Sequence, residues 1–138
     1  MARQEIEMKI AADTNVLVRA VVRDDPSQAE VATKLLRSAK MIAVAVPCLC
    51  EFVWVLRRVY DFPPSLVASA VRALLATANV EMNRPAVEAG LAMLDAGGDF
   101  ADGAIAYEGR WLGAETFVSF DAQAVELLKA QGEAARLL

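Results

Sequence analysis

The stretch MKIAADTNVLVRAVV, residues 8–22, decides the fold class of this chain. Residues 8–12 predict a short strand that ends at Asp13-Thr14-Asn15, and the apolar run after it predicts a helix. An acidic residue therefore stands where a strand passes into a helix. The same strand-to-helix order recurs to the end of the chain, which predicts an α/β domain with a parallel sheet flanked by helices.

The remaining elements follow from apolar periodicity and from turn residues. Further strands are predicted at residues 42–46, 80–82, 116–120 and 134–138. Helices are predicted at residues 26–39, 47–60, 66–75, 84–96, 99–111 and 122–131. We expect one domain over residues 1–138, in which residues 1–7 form an N-terminal extension and Met8 is a candidate natural start.

Composition narrows the class of protein. A chain of 138 residues with 57% hydrophobic residues is typical of one compact domain. The apolar run 41–56 is too short for a membrane span, and Pro47 and Glu51 interrupt it. Cys48 and Cys50 have no histidine to complete a zinc site, so we expect buried free thiols. This cysteine usage and an N-terminus without a signal-peptide core predict a cytoplasmic protein.

The chain contains no histidine, and this absence limits its chemistry. Serine-histidine-acid triads, ribonuclease chemistry with histidine as acid and base, and histidine metal sites are all excluded. Any catalysis must use other groups, of which carboxylates are the most abundant.

Five acidic residues occupy distinctive positions in the predicted fold. Asp13 and Asp121 each follow a strand, so both belong to the edge of a parallel sheet where ligands bind. Asp99 and Asp102 lie on one face of the first turn of a helix. Glu51 has apolar neighbours in its helix, where a lone ionised carboxylate is costly unless a partner such as a shared cation compensates it.

Each of these acids also has an ordinary structural interpretation. Asp13, Asp99 and Asp121 could cap helices. Glu51 could reach solvent or pair with an arginine such as Arg57. Taken together, however, carboxylates gathered at one edge would raise each other's pKa unless a divalent cation neutralised them. Oxygen ligands of this kind suit Mg²⁺ or Mn²⁺.

The acidic motifs, in this order and at these distances, resemble those of PIN-domain ribonucleases, and among them the VapC-type toxins of toxin–antitoxin pairs. The resemblance spans Lys9 to the C-terminus and rests on Ala12-Asp13-Thr14-Asn15, Glu51, Asp99-Phe100-Ala101-Asp102 and Ser119-Phe120-Asp121. One departure is that Gln123 and Ala124 stand where many relatives have an acid and an aromatic residue.

The resemblance implies a three-layer α/β/α domain with a central, mostly parallel sheet of about five short strands. It implies that Mg²⁺ or Mn²⁺ is held by the catalytic acids Asp13, Glu51, Asp102 and Asp121. It assigns supporting positions to Asp99, Ser119 and Asn15. Asp13 and Asp102 are expected to be the principal metal ligands, and Glu51 a ligand or a water-orienting base.

The implied activity is hydrolysis of RNA phosphodiesters by metal-activated water, with transfer RNA as the favoured substrate and 3′-hydroxyl and 5′-phosphate ends. The implied partners are a second copy of the chain and a VapB-type antitoxin that covers the acidic pocket. The alternative is a non-catalytic PIN-like scaffold that binds RNA or protein. A receiver domain and a haloacid-dehalogenase phosphatase fit poorly, because a suitable lysine and a second aspartate at position 15 are missing.

The net charge of −4 is unusual for a protein that binds RNA. Without the five acids above, 13 of the 18 acidic residues remain against 14 basic ones, so the deficit comes from the predicted pocket. The candidates for a phosphate-binding groove, each of which could also be an ordinary surface or antitoxin-facing charge, are Arg19, Arg23, Arg57, Arg58 and Arg110.

Overall fold

The computed structural model describes residues 8–138, where strands and helices alternate largely as predicted. The strands are β1 (Lys9–Ala11), β2 (Met41–Ala43), β3 (Val80–Glu81), β4 (Phe117–Ser119) and β5 (Ala135–Leu137). The helices are α1 (Thr14–Val22), α2 (Pro26–Ser38), α3 (Val46–Arg58), α4 (Pro64–Leu75), α5 (Arg84–Asp95), α6 (Phe100–Trp111) and α7 (Ala122–Ala130). The predicted extension over residues 1–7 lies outside the described residues.

The chain forms two compact units, the first ending at Met82. In this first unit β1, β2 and β3 make a parallel sheet in that order, with Ile42 opposite Ile10 on one side and Val80 on the other. Parallel neighbours need crossover connections, which the helices supply. The predicted strand-to-helix alternation is therefore confirmed here.

The second unit spans Asn83–Leu138. Strands β4 and β5 pair in parallel, so that Ser119 lies opposite Leu137. The small apolar core beside them consists of Met93, Ala106, Ala124 and Leu128. Because these residues come from α5, α6 and α7, the core joins the three helices of this unit.

The boundaries around the apolar run 41–56 differ from the prediction. The strand expected at 42–46 ends at Ala43, and α3 begins at Val46, one residue before Pro47. Proline is tolerated there because the first amides of a helix have no intrahelical acceptor. The run is thus divided between a strand and a helix, and no helix in the described part of the chain is long and apolar enough to cross a membrane.

A glycine sets the distance between α5 and α6. A side-chain carbon at Gly103 in α6 would overlap the backbone carbonyl of Ala89 in α5 and come within 2.8 Å of the Met93 side chain. Backbone atoms cannot move aside as a flexible side chain can. The close packing of these two helices therefore requires glycine at position 103, next to Asp102.

We expect Gly103→Ala to lower the free energy of unfolding by about 1–3 kcal/mol, because the added methyl group overpacks the contact between the helices. Gly109→Ala in the same helix is the matched control, since the nearest atom to its new methyl would be 3.9 Å away. Alanine is the better helix former, so we expect this control to raise the free energy of unfolding by about 0.5–1 kcal/mol. Urea unfolding measures both, and equal effects of the two substitutions would contradict the packing argument.

Candidate active site

Asp13 lies at the junction between β1 and α1, in the N-cap position of the helix. Its backbone is extended, with φ −80° and ψ 156°, and its side chain makes no capping hydrogen bond. The side chain is exposed. Capping therefore does not explain the carboxylate of Asp13.

Thr14, the next residue, makes a contact with Glu51 that was not predicted from the sequence. It is 5% exposed, and its Oγ1 hydroxyl donates a hydrogen bond to Oε1 of Glu51 in α3 at 2.5 Å. A hydrogen bond this short to a carboxylate is of the strong, charge-assisted kind. Thr14 therefore holds the Glu51 carboxylate on the side of α3 that meets the start of α1. The only signal in the sequence was its place directly after Asp13.

The expectation that Glu51 is buried among apolar neighbours is wrong. Glu51 is exposed, whereas the next residues, Phe52 and Val53, are buried. Successive residues of a helix point about 100° apart, so apolar neighbours in sequence need not surround a side chain. The alternative that Glu51 reaches solvent is confirmed, with its carboxylate oriented by Thr14.

Cys48 lies beside these acids as a half-buried free thiol. Its Sγ donates to the carbonyl of Ala12 at 3.5 Å and lies 3.7 Å from Oγ1 of Thr14. Burial is the largest influence and raises the pKa of the Cys48 thiol, as do the charges of Asp13 and Glu51, against an opposing contribution from Thr14. The thiol therefore stays protonated at neutral pH, and the chemical groups offered by this region are oxygens.

In the second unit, Asp99 and Asp121 cap helices, as one interpretation of the sequence allowed. Oδ1 of Asp99 accepts the amide of Ala101 at 3.1 Å. Oδ1 of Asp121 accepts the amides of Gln123 and Ala124 at 3.0 and 3.2 Å. Each set of capping bonds uses one carboxylate oxygen and leaves the other outside the cap.

Asp102 is not a cap, because it lies in the first turn of α6 rather than before it. It is half-buried. Burial raises the pKa of the Asp102 carboxyl, and the negative charges of Asp99 and Asp121 raise it further. The structure thus brings these three acids of the second unit within electrostatic reach of one another, as the motif spacing predicted for Asp99 and Asp102.

Two side chains hold the loops that carry these acids. Oγ of Ser119 accepts the amide of Asp121 at 2.9 Å, which fixes the turn between β4 and α7. Gln123, where many relatives have an acid, donates from Nε2 to the carbonyl of Gly97 at 3.3 Å. This bond ties the start of α7 to the turn before α6. Asn15, the remaining predicted supporting residue, is exposed in the first turn of α1.

Four of the five candidate arginines already have partners inside their own units. Arg19 pairs with Asp24 at 3.3 Å, and Arg110 pairs with Glu133 at 2.6 Å. The other two donate to neutral acceptors, Arg57 to the carbonyl of Phe62 at 3.4 Å and Arg23 to Oγ1 of Thr33 at 3.0 Å. Arg19 and Arg110 are the weaker candidates for contacts with phosphate, because an acid already compensates their charge.

The donor set can be compared with the needs of a divalent cation. Among residues 8–138, no group of three or more histidine, cysteine, aspartate or glutamate side chains is placed so that it could hold a metal ion. Magnesium does not require three protein ligands, since it commonly binds through one or two carboxylates and keeps several waters. Asp102 and its acidic neighbours supply oxygen donors only, and no ion pair to Asp102 occurs within the described residues, so the donor type suits Mg²⁺ or Mn²⁺ although these acids form no three-ligand group.

Comparison with protein families identifies the class of protein. The family model described as PIN domain matches residues 10–128, which is most of the chain. The chain therefore belongs to the PIN-domain family, whose members are generally metal-dependent nucleases. The predicted fold class, a three-layer α/β/α PIN-like domain with short parallel strands, is confirmed. The predicted central sheet of about five strands is instead a three-stranded and a two-stranded parallel sheet among the described residues. No curated protein matches the chain.

Asp102→Asn should raise the melting temperature of the metal-free protein and lower that of the metal-loaded protein, relative to the wild type. The folded state raises the pKa of Asp102, so this group's contribution to stability is lost as pH rises through that range. At pH 7 in EDTA we therefore expect the variant to melt about 1–3 °C above the wild type, a modest gain because the group is partly exposed. The gain should shrink as pH falls and vanish below the ordinary aspartate pKa of about 3.9, where the carboxyl is protonated in both the folded and the unfolded state.

With Mn²⁺ present the order should reverse, because only the wild type retains the full ligand set. Differential scanning fluorimetry with and without Mn²⁺ measures both effects. A variant that melts below the wild type in EDTA would show that the Asp102 charge stabilises the fold and is not held there for a ligand.

Proposed function

We propose that this PIN-domain protein is an Mg²⁺- or Mn²⁺-dependent endoribonuclease that hydrolyses RNA phosphodiesters, with transfer RNA as the favoured substrate class. The observation that carries the proposal is the half-buried Asp102, whose pKa is raised by burial and by Asp99 and Asp121. Capping accounts for Asp99 and Asp121 but not for Asp102, which lies inside its helix beside two like charges. The arrangement makes sense if a cation offsets them.

The roles of the acids follow from their surroundings. Asp102 is the proposed principal metal ligand of the second unit, because capping does not occupy its carboxylate. Asp121 contributes the oxygen that its cap leaves over. Asp13 is the corresponding ligand in the first unit, since its carboxylate makes no capping bond. A divalent cation bound to such ligands supplies charge neutralisation at the phosphate and activation of water.

Glu51 is the proposed base that orients the attacking water. Its Oε1 is held by the hydroxyl of Thr14, and the side chain remains exposed to solvent and substrate. One fixed oxygen leaves the other free to accept a proton or a hydrogen bond from water. Thr14 is then a positioning residue, which acts on the reaction through Glu51.

The proposed biological role is that of a VapC-type toxin, on the grounds of the order and spacing of the acidic motifs. In this role a VapB-type antitoxin covers the acids, and an arginine of that partner would compensate the same charges as the cation. A homodimer and a cytoplasmic location belong to the same proposal. The alternative function is a non-catalytic scaffold that binds RNA or protein.

Cleavage of a transfer RNA pool by purified protein tests the nuclease proposal. We expect discrete cuts with Mn²⁺ or Mg²⁺, none in EDTA, and products with 3′-hydroxyl and 5′-phosphate ends. Asp102→Asn should lower the rate by about a hundredfold or more, because it removes a ligand carboxylate. Asp61→Asn is the control, since it removes an exposed aspartate and asparagine tolerates the left-handed backbone found there.

Expression of the same two variants in cells distinguishes a toxin from a non-catalytic scaffold. Growth arrest on expression of the wild type and of Asp61→Asn, with no arrest for Asp102→Asn, would support the toxin assignment. If all three proteins bind RNA and none cuts it, the scaffold function takes the place of the nuclease.

Thr14→Val should reduce kcat about tenfold with little change in KM, because one hydrogen bond to a charged group is lost. Valine has nearly the shape of threonine, so the buried site stays filled, and the exposed Glu51 carboxylate can bond water in place of the lost hydroxyl, so the melting temperature should change little. Thr14→Ser keeps the hydroxyl and should restore most of the rate. Equal rates for the valine and serine variants would show that the Thr14 hydroxyl does not contribute to the reaction.

A further inference from the structure

A cavity on the first unit, separate from the acids, is lined by basic side chains. It has a volume of about 830 Å³ and is lined by Arg23, Glu30, Thr33, Lys34, Arg37 and Ser38. The positions in α2 are three or four residues apart, so they form one face of the helix. We refer to these six residues as the basic cavity.

The charge of the basic cavity favours an anion. Arg23, Lys34 and Arg37 carry three positive charges against one negative charge on Glu30, in a chain whose net charge is −4. Nη1 of Arg23 donates to Oγ1 of Thr33 at 3.0 Å, which holds the guanidinium against α2. That bond uses one N–H, and a guanidinium has further donors in a fixed plane for a ligand.

The hydroxyl of Ser38 lies in the wall of the basic cavity. Its Oγ is buried and has no hydrogen-bond partner among the described residues. A buried hydroxyl without a partner is unfavourable. Ser38 lines the basic cavity through its other atoms, so a ligand bound there does not reach this oxygen, and the basic side chains alone would hold an anion.

We propose that the basic cavity binds a backbone phosphate of the RNA substrate, away from the bond that is cut. This inference rests on RNA being the substrate, as proposed above. Phosphate oxygens can accept from a lysine and from arginines at once. Such a contact positions the strand without reading its sequence.

Helix α1 links this cavity to the acids within the first unit. Asp13 precedes the helix and Arg23 is its C-cap residue. A helix of this length spans about 13 Å. An RNA strand with its scissile phosphate at Asp13 therefore reaches the basic cavity with a phosphate a few nucleotides away.

Equilibrium binding of RNA to full-length protein tests the inference, with Asp102→Asn in every sample to prevent cleavage. We expect Lys34→Gln combined with Arg37→Gln to raise the Kd about tenfold at physiological salt. The slope of log K against log salt should become shallower by about 0.7, the contribution of one single-strand phosphate contact. The control combines Lys129→Gln with Arg136→Gln, two exposed residues of the second unit, and removes the same charge.

Ser38→Ala provides a test that does not alter charge. Without ligand its melting temperature should equal or exceed that of the wild type, because an unpartnered hydroxyl is removed. Inorganic phosphate should stabilise the wild type and this variant equally, because Oγ of Ser38 is out of reach of a ligand, whereas Lys34→Gln combined with Arg37→Gln should lose that stabilisation. Loss of phosphate stabilisation with unchanged RNA affinity would overturn the RNA assignment in favour of a small phosphate ligand.

Unchanged Kd and salt slope in the lysine–arginine variant, relative to its control, would also overturn the inference. This failure is distinct from failure of the proposed nuclease, which is measured as absence of cleavage by the wild type with Mn²⁺. If the wild type cleaves RNA while the variants bind RNA normally, the nuclease proposal stands and the proposed role of the basic cavity is refuted. The reverse result would retain a phosphate-binding cavity on a protein that does not cut.

Discussion

Helix N-termini are the constraint on which the candidate site depends. Asp13, Asp99 and Asp121 are the N-cap residues of α1, α6 and α7. The unpaired amides and positive end of a helix tolerate a carboxylate where most other settings would not. Folding and chemistry therefore use the same residues, and only Asp13 makes no capping bond with its side chain. Asparagine is also a good N-cap, so replacing these acids by asparagine separates their chemistry from their structural role.

The order of strands and helices was predictable because turn residues and apolar periodicity act locally. Pro26, Pro47 and Gly97 mark element ends in the sequence, and each lies within two residues of a helix end in the structure. Boundaries were less predictable where two signals compete. Residues 44–46 are apolar and read as strand, yet Val46 enters the helix because proline at the next position is compatible with a first turn.

The site was predictable in part. The spacing of Asp99 and Asp102 in one helix turn is a local property, and their electrostatic interaction was expected. The contact of Thr14 with Glu51 joins residues 37 positions apart, and no periodicity reports such a pair. The burial of Glu51 was misjudged for a related reason, because exposure depends on which face of α3 meets other elements. Ser38 and the basic cavity depend likewise on packing that the sequence does not state.

The glycine at position 103 has an evolutionary consequence. The atom that a larger residue would strike is a backbone oxygen of Ala89, and every amino acid at position 89 would present that same oxygen. No compensating substitution in α5 can therefore make room. We expect glycine to be retained at position 103 in any homologue that keeps these two helices at this separation, even where the neighbouring acid has been lost. Glycine there would then mark the ancestry of the fold, whereas aspartate at position 102 marks its chemistry.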